Sequence, residues 1–245
     1  MSTNCDTVLI LGSAPNAVEA AAWPRAQFDH VVAINNAWAV RPDWSYLIHP
    51  EDFPEARRPV DLKQGQQIVD YRQYIPQQNA FGGVVYAGGT MAFTAGYWAL
   101  GALRPRVIGF MGCDMMYAGA GNTHFYGTGE ADPLRDDVTL QSLEAKSARL
   151  ALLAAEMGCA CVNLSTEPSR LVFPRLSVAA LRAAEQPALT NPPGVALARE
   201  REVALGYSAP DGRYWEQLDA FEPDKLAAID ATWLSALEGA SIAVA

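Results

Sequence analysis

The sequence predicts an α/β protein with a doubly wound, mainly parallel sheet, followed by a C-terminal helical tail. Short apolar runs alternate with helix-forming stretches along most of the chain, which is the order that a parallel sheet requires. Several of these runs end in glycine or asparagine, as buried strands do where they meet a turn. With 245 residues, 50% of them hydrophobic and 18% charged, the chain is long enough to bury a sizeable core.

Short apolar runs predict the strands, and longer periodic stretches predict the helices. Strands are predicted at residues 7–12, 30–35, 45–49, 106–111 and 160–164, with shorter candidates at 67–71 and 83–87. Helices are predicted at residues 17–22, 90–103 and 139–157. The second of these is apolar around its circumference, so we expect it to be buried, whereas the third is amphipathic.

The composition changes after about residue 184. Residues 186–194 contain three prolines and several turn residues, which indicates a linker or an extended arm. Helices are predicted beyond it at residues 195–206 and 224–237. We therefore divide the chain into an α/β domain at residues 1–184 and a linker with a helical extension at residues 185–245. Three roles are open for the extension: a lid, an arm through which homo-oligomers form, or a helical cap.

Charge, hydropathy and cysteine spacing exclude several classes. The formal net charge of −9 argues against a nucleic-acid-binding protein, which needs a basic face. No basic segment followed by an apolar run opens the chain, and no apolar stretch is long enough for an integral membrane segment. The four cysteines lack Cys-x-x-Cys spacing, so we expect reduced thiols and no metal site. A soluble, cytoplasmic protein is expected.

Candidate binding residues follow the first three predicted strands. In an open parallel sheet, ligands bind beyond the carboxyl ends of the strands. The first strand is followed by Gly12, Ser13, Ala14 and Pro15. A glycine there lets the backbone approach a ligand, and a helix start offers N–H groups to a phosphate, although a plain turn is the alternative. The run is neither a Walker loop nor a dinucleotide fingerprint.

Amide and imidazole side chains end the next two strands. Asn35 and Asn36 follow the second strand and could hydrogen-bond a base or ribose, or could simply terminate the strand. His49 follows the third strand, where a structural histidine is the alternative to a ligand contact.

Two further clusters lie later in the chain. Gly88 and Gly89 precede the long apolar helix, and Thr90 can cap that helix. A carboxylate, two phenols and an imidazole then follow the central strand: Asp114, Tyr117, His124 and Tyr126. Because His124 lies in a loop rather than on an apolar face, we expect it to have a functional role.

These clusters, in this order, resemble the compact bacterial sialyltransferases and the motility-accessory-factor glycosyltransferases that modify flagellin. The family's Gly-x-Gly-Pro-Ser is matched by residues 12–16, with Ala14 in place of the second glycine. The asparagine after the second strand, the Gly-Gly-Thr turn, the Gly-x-Asp segment and the Thr-His-Phe loop are matched at Asn35, residues 88–90, 112–114 and 123–125. The late strand is followed by Asn163-Leu-Ser165, which also fits. The resemblance covers roughly residues 7–175.

The resemblance implies a Rossmann-like, sialyltransferase-like fold whose residues 1–184 form a nucleotide-binding catalytic domain. It implies transfer of a sugar, such as a nonulosonic acid, from a CMP-type donor to a glycan or small-molecule acceptor, without a metal or other cofactor. His124 would be the base, Asp114 would orient His124 or the donor sugar, and Tyr117 and Tyr126 would stabilise the leaving phosphate. The family's histidine lies a few residues further on, where this chain has Tyr126-Gly-Thr128.

Two other functions remain open from the sequence. The same motifs resemble a group of pterin pyrophosphokinases within the flagellin-transferase superfamily, which would require Mg²⁺ and ATP. The second open function is that of a non-catalytic nucleotide-binding protein that has lost the catalytic base, since Thr128 stands close to the family's histidine position.

Overall fold

The computed structural model describes residues 6–117, 122–128, 137–184 and 191–240. Within these residues, six parallel strands form one sheet in the order β4-β3-β2-β1-β5-β6. The strands are β1 (Thr7–Leu11), β2 (His30–Ile34), β3 (Tyr46–Ile48), β4 (Gln67–Val69), β5 (Val107–Met111) and β6 (Ala160–Asn163). The prediction of a doubly wound parallel sheet with C-terminal helices is confirmed.

Helices cover both faces of the sheet. The α-helices are α1 (Tyr71–Ala80), α2 (Val84–Ala87), α3 (Met91–Trp98), α4 (Leu143–Glu156), α5 (Pro192–Leu205) and α6 (Pro223–Glu238). One turn of π-helix, Ala99–Leu103, extends α3. Helices of the 3₁₀ type connect other elements, among them Pro15–Ala22, Asn35–Ala39, Val178–Ala183 and Tyr214–Ala220.

Alternate side chains of each strand enter two different cores, because successive residues of a strand point to opposite faces. Val8 and Ile10 of β1 pack with the α-helices in one core. Leu9 and Leu11 pack in the other core against the 3₁₀ helix Pro15–Ala22 and its neighbours. All residues of β1 and β5 are buried, as expected for central strands covered on both faces.

The predicted strand at residues 83–87 is wrong, because these residues form the short helix α2. Its Val-Val-Tyr sequence is typical of a strand. Glycines with positive φ stand on both sides of it: Gly83 at 85° and Gly88 at 89°. These conformations reverse the chain before and after one buried helical turn, so residues 83–87 cannot extend along the sheet.

Helix α1 has no counterpart among the predicted elements, because Pro76 and its many polar residues obscure the helical pattern. Asp70 and Gln73 form a capping box at its start, and this spacing is a sequence signal for a helix.

Helix α6 packs on α4, α5 packs on α6, and two buried ion pairs join these C-terminal helices to α4. Arg149 of α4 forms a two-pronged salt bridge with Glu202 of α5, at 2.7 and 2.8 Å. Lys146 of α4 lies 2.6 Å from Asp230 of α6. Helix α5 begins at Pro192, inside the predicted linker, and the rest of that linker before residue 191 lies outside the described residues.

Cys113, Cys159 and Cys161 are buried, whereas Cys5 lies outside the described residues. In the part of the chain that the structure describes, no helix combines the length and the hydropathy needed to cross a membrane.

Candidate functional site

The strand order reverses between β1 and β5, and the connections that leave these two strands run towards opposite faces of the sheet, which leaves a crevice between them. A cavity of about 680 Å³ opens at this point. Residues that follow β1, β2, β5 and β6 line it, together with the start of α3. This is the position at which doubly wound sheets bind their ligands.

Two glycines make the floor of the cavity by letting the turns after β1 and β5 touch. A Cβ atom on Gly12 would lie 2.7 Å from the Cys113 sulfur and would also collide with the Gly112 carbonyl. A Cβ on Gly112 would lie 2.7 Å from Ala17 Cβ. Gly112 also has a left-handed backbone conformation, with a φ of 69°. The Ala14 N–H donates to the Gly112 carbonyl at 3.0 Å, which fastens the two turns together.

The amino-terminal ends of two helices border the same cavity. The 3₁₀ helix Pro15–Ala22 begins at its edge with Pro15 in the first turn. Helix α3 begins there as well, and the Thr90 hydroxyl caps it by accepting from the Ala92 N–H at 3.1 Å. Helix N-termini carry partial positive charge, so both favour an anionic group in the cavity.

A buried carboxylate is held at the carboxyl edge of the sheet by amide side chains. Asp114 is only 4% exposed. Its two oxygens accept from the side-chain amides of Asn16 at 2.8 Å and Asn163 at 3.4 Å. The Asn16 amide also donates to the Ser165 hydroxyl at 2.8 Å, so residues following three strands form one network. Hydrogen bonds to the charged form keep such a carboxylate tolerable in a buried position.

Two asparagines of the cavity wall have a buried side-chain oxygen with no hydrogen-bond partner within the described residues. These atoms are Oδ1 of Asn16 and Oδ1 of Asn35. The Asn16 assignment is fixed, because its nitrogen faces the Asp114 carboxylate. Asn35 has a φ of 51°, a left-handed conformation that asparagine tolerates better than most residues. Buried amide oxygens are costly when unpaired, so both are suited to a ligand that donates hydrogen bonds.

The loop at residues 122–128 brings His124 to the cavity. The Phe125 N–H donates to the Ser13 carbonyl at 3.0 Å and so fixes this loop to the turn after β1. Nδ1 of His124 lies 2.8 Å from the Thr123 hydroxyl oxygen, and its ring stacks on Tyr126 with centroids 4.9 Å apart. Burial lowers the pKa of His124 below its ordinary value of 6.5. The imidazole is therefore neutral at pH 7 and able to accept a proton.

The structure brings most of the predicted site residues together around this one cavity. Those that line it are Gly12, Ser13, Ala14, Pro15, Asn35, Thr90, Asp114, Tyr117, His124 and Tyr126. Thr123, rather than Asp114, hydrogen-bonds Nδ1 of His124.

Four predicted residues lie elsewhere. Asn36 belongs to the 3₁₀ helix Asn35–Ala39 behind the cavity wall. His49 is buried, with Nδ1 2.8 Å from the Pro50 carbonyl oxygen, and burial lowers its pKa. Gly88 packs on Lys146, and Gly89 lines a second cavity described below.

Three residues of the cavity wall, Glu19, Met91 and Glu167, were missed as site candidates because a lone polar or apolar residue in a sequence gives little warning of its role. Asn16 in the wall, and Asn163 and Ser165 that support Asp114, belong to segments that match the resemblance but were not predicted as site residues. The position of Asn163 and Ser165 at the carboxyl end of the last strand was the available signal.

The charge of the wall is negative. Glu19, Asp114 and Glu167 line the cavity, and the described lining includes neither lysine nor arginine. Among the described residues, no group of three or more histidine, cysteine, aspartate or glutamate side chains is arranged to bind a metal ion.

The fold and the site together define an α/β protein with a crevice at the switch point of a parallel sheet. No protein family, curated protein or solved structure matches this chain.

Proposed function

We propose that this protein is a glycosyltransferase that moves a sugar, such as a nonulosonic acid, from a CMP-type donor without a metal ion. The observation that carries the proposal is the pair of unpartnered amide oxygens, Asn16 Oδ1 and Asn35 Oδ1, in the wall of the switch-point cavity. A cytosine amino group and ribose hydroxyls can donate hydrogen bonds to these two oxygens. The resemblance to the sialyltransferase-like enzymes supports the same choice of nucleotide.

The charge of the cavity supports a monophosphate over a triphosphate. Three carboxylates line the wall, and no cationic side chain does among the described lining residues. The phosphodiester and the sugar carboxylate of a CMP-nonulosonate carry one negative charge each, and the N-terminal ends of two helices offset part of this charge. A triphosphate carries several charges and would be repelled by this wall unless a cation came with it.

The proposed reaction needs one base and one stabilised leaving group. The acceptor hydroxyl oxygen forms a bond to the anomeric carbon, the bond from that carbon to the phosphate oxygen breaks, and CMP leaves with the bonding electron pair. The acceptor proton goes to Nε2 of His124. This requires the other nitrogen, Nδ1, to carry its proton and donate it to the Thr123 hydroxyl, which lies 2.8 Å away. The Tyr117 and Tyr126 hydroxyls would stabilise the departing phosphate.

We expect His124→Ala to lower transfer by roughly 10²–10⁴-fold, because a positioned base contributes about that much. CMP affinity should change little, since the base does not hold the nucleotide. Transfer is measured as CMP released from a CMP-nonulosonate in the presence of saccharide acceptors, and affinity is measured by calorimetry. In the wild type, the rate should fall as the pH drops through a His124 pKa that burial places below 6.5, because protonation removes the base.

His30 provides the matched control, since it lies at the amino end of β2, away from the carboxyl ends of the strands, and outside the cavity. The variant His30→Gln should transfer at the wild-type rate. Equal losses of transfer and CMP affinity in His124→Ala would contradict the assignment of His124 as the base.

A further inference from the structure

A second cavity, of about 670 Å³, adjoins the first. Met91 lines both cavities, and the turn before α3 separates them, with Thr90 facing the first and Gly89 the second. The C-terminal segment at residues 211–218 forms one wall of the second cavity, opposite α1 and residues 50–52. No step proposed above uses this space.

The C-terminal wall is fastened to the turn that separates the cavities. The Tyr214 hydroxyl donates to the Asp137 carboxylate, whose other oxygen accepts from the Thr139 hydroxyl at 2.7 Å. The Thr139 hydroxyl oxygen in turn accepts from the Gly89 N–H at 2.9 Å. Gly89 allows this close approach, because a Cβ there would lie 2.5 Å from the Tyr214 hydroxyl oxygen and would push the tyrosine away. The wall therefore has a fixed position relative to the first cavity.

Two polar side chains of α1, Tyr74 and Gln78, line this cavity and are 9% and 3% exposed. The Gln78 amide nitrogen donates to the Thr94 hydroxyl at 3.4 Å. Residues four apart on a helix are neighbours, with Cβ atoms about 5–6 Å apart. A ligand with two adjacent hydroxyls could therefore hydrogen-bond both the Tyr74 hydroxyl and the Gln78 amide oxygen.

Aromatic rings and carboxylates complete the lining. Tyr71 and Trp215 contribute ring surface, and Trp215 is 58% exposed. Such rings pack on the C–H face of a pyranose, while carboxylates accept from its hydroxyls. Among the described lining residues, four carboxylates (Glu51, Asp52, Asp137 and Asp211) outnumber the single cation, Arg213, whose guanidinium lies 3.7 Å from Glu51. The excess of negative charge disfavours an acidic sugar.

We propose that the second cavity binds the acceptor as a neutral or amino-bearing saccharide. The inference rests on the proposed function, because reacting groups must approach to about 3–3.5 Å and an acceptor site must therefore adjoin the donor site. The saccharide lies against Trp215 and α1, and its reactive hydroxyl extends past Met91 into the first cavity.

Saturation-transfer NMR tests the proposal with three probes: a methyl hexopyranoside, its 2-amino-2-deoxy analogue and its uronic acid. We expect ring-proton signals from the neutral and amino sugars, and weak or no signals from the uronic acid. The signals should persist when CMP saturates the first cavity. Trp215→Ala and Tyr74→Phe should each weaken binding about three- to tenfold, since each removes one ring contact or one hydrogen bond.

Val203→Ala is the control, because Val203 is 81% exposed on α5 and lies outside both cavities. Its saccharide binding should equal that of the wild type. Equal binding of the uronic acid, undiminished binding in Trp215→Ala and Tyr74→Phe, or CMP binding without any saccharide binding would overturn the proposal. Saccharide binding without CMP binding would instead support the second site and remove the basis of the proposed function.

Discussion

At the scale of single residues, Asn35 combines a backbone role and a side-chain role that the sequence could not separate. Its left-handed φ of 51° makes it a turn residue at the end of β2. Its Oδ1 atom is also buried without a partner in the described part of the chain, which a turn alone does not require. Substitutions can separate the two roles.

We expect Asn35→Gly to keep the fold and weaken CMP binding. Glycine adopts φ near 51° without strain, so the free energy of unfolding should stay close to that of the wild type. The lost hydrogen bond should lower CMP affinity by about three- to tenfold, as for a neutral pair. Calorimetric titration and urea unfolding measure the two effects.

Asn35→Ala is the companion variant. Alanine in the left-handed region costs about 1–2 kcal/mol, so this variant should lose stability as well as affinity. If Asn35→Gly bound CMP as tightly as the wild type, Asn35 would be a turn residue alone.

At the scale of elements, the C-terminal helices are held to α4 by buried charge. Arg149 is 2% exposed and Glu202 is 6% exposed, and the Trp233 indole of α6 also donates to Glu202 at 2.7 Å. The Arg149 guanidinium donates further to the Tyr97 hydroxyl at 2.7 Å. One ion pair thus connects α3, α4, α5 and α6, and removing half of it leaves a buried charge unpaired.

We expect Glu202→Gln to lower the free energy of unfolding by about 3–5 kcal/mol, which is the usual cost of breaking a buried pair. Glu200→Gln, an exposed change on the same helix, should change it by less than about 0.5 kcal/mol. Urea unfolding followed by circular dichroism measures both. A loss below about 1 kcal/mol in Glu202→Gln would mean that this pair does not hold the helices in place.

The elements that the sequence predicted are those with one dominant signal. The apolar runs predicted β1, β2 and β5 because both faces of these strands are buried, so no polar residue interrupts them. Helix α2 was mistaken for a strand because a single buried turn has no period, and its direction depends on glycine φ angles that composition does not reveal.

The candidate site, like the fold, was predicted only in the parts that have a local sequence signal. The residues after β1, β2 and β5 were predicted because strand ends in parallel sheets are known positions for ligands. The second cavity was not predicted, because it depends on how residues 211–218 pack against α1. These segments are far apart in the sequence: the nearby hydrogen bond between Asn79 and Pro210 joins residues 131 positions apart. Local sequence patterns carry no information about such a contact.

At the scale of the whole molecule, the fold places two adjoining cavities at the carboxyl ends of the strands. The reversal of strand order opens the first cavity between β1 and β5, and the C-terminal helices on α4 bring residues 211–218 to the adjoining one. The chain has a formal net charge of −9, and the described lining of the first cavity adds no cationic side chain. A nucleoside monophosphate carries fewer negative charges than a polyphosphate and therefore suits this environment better.

The most direct test of the proposed function is the thermal unfolding of the protein with CMP or ATP, each with and without Mg²⁺. A ligand of the native state stabilises it by RT ln(1 + [L]/Kd), or about 2.7 kcal/mol at 100-fold excess over Kd. We predict that CMP raises the Tm equally with and without Mg²⁺ and that ATP alone does not. A rise with ATP that depends on Mg²⁺, or no rise with either nucleotide, would contradict the account.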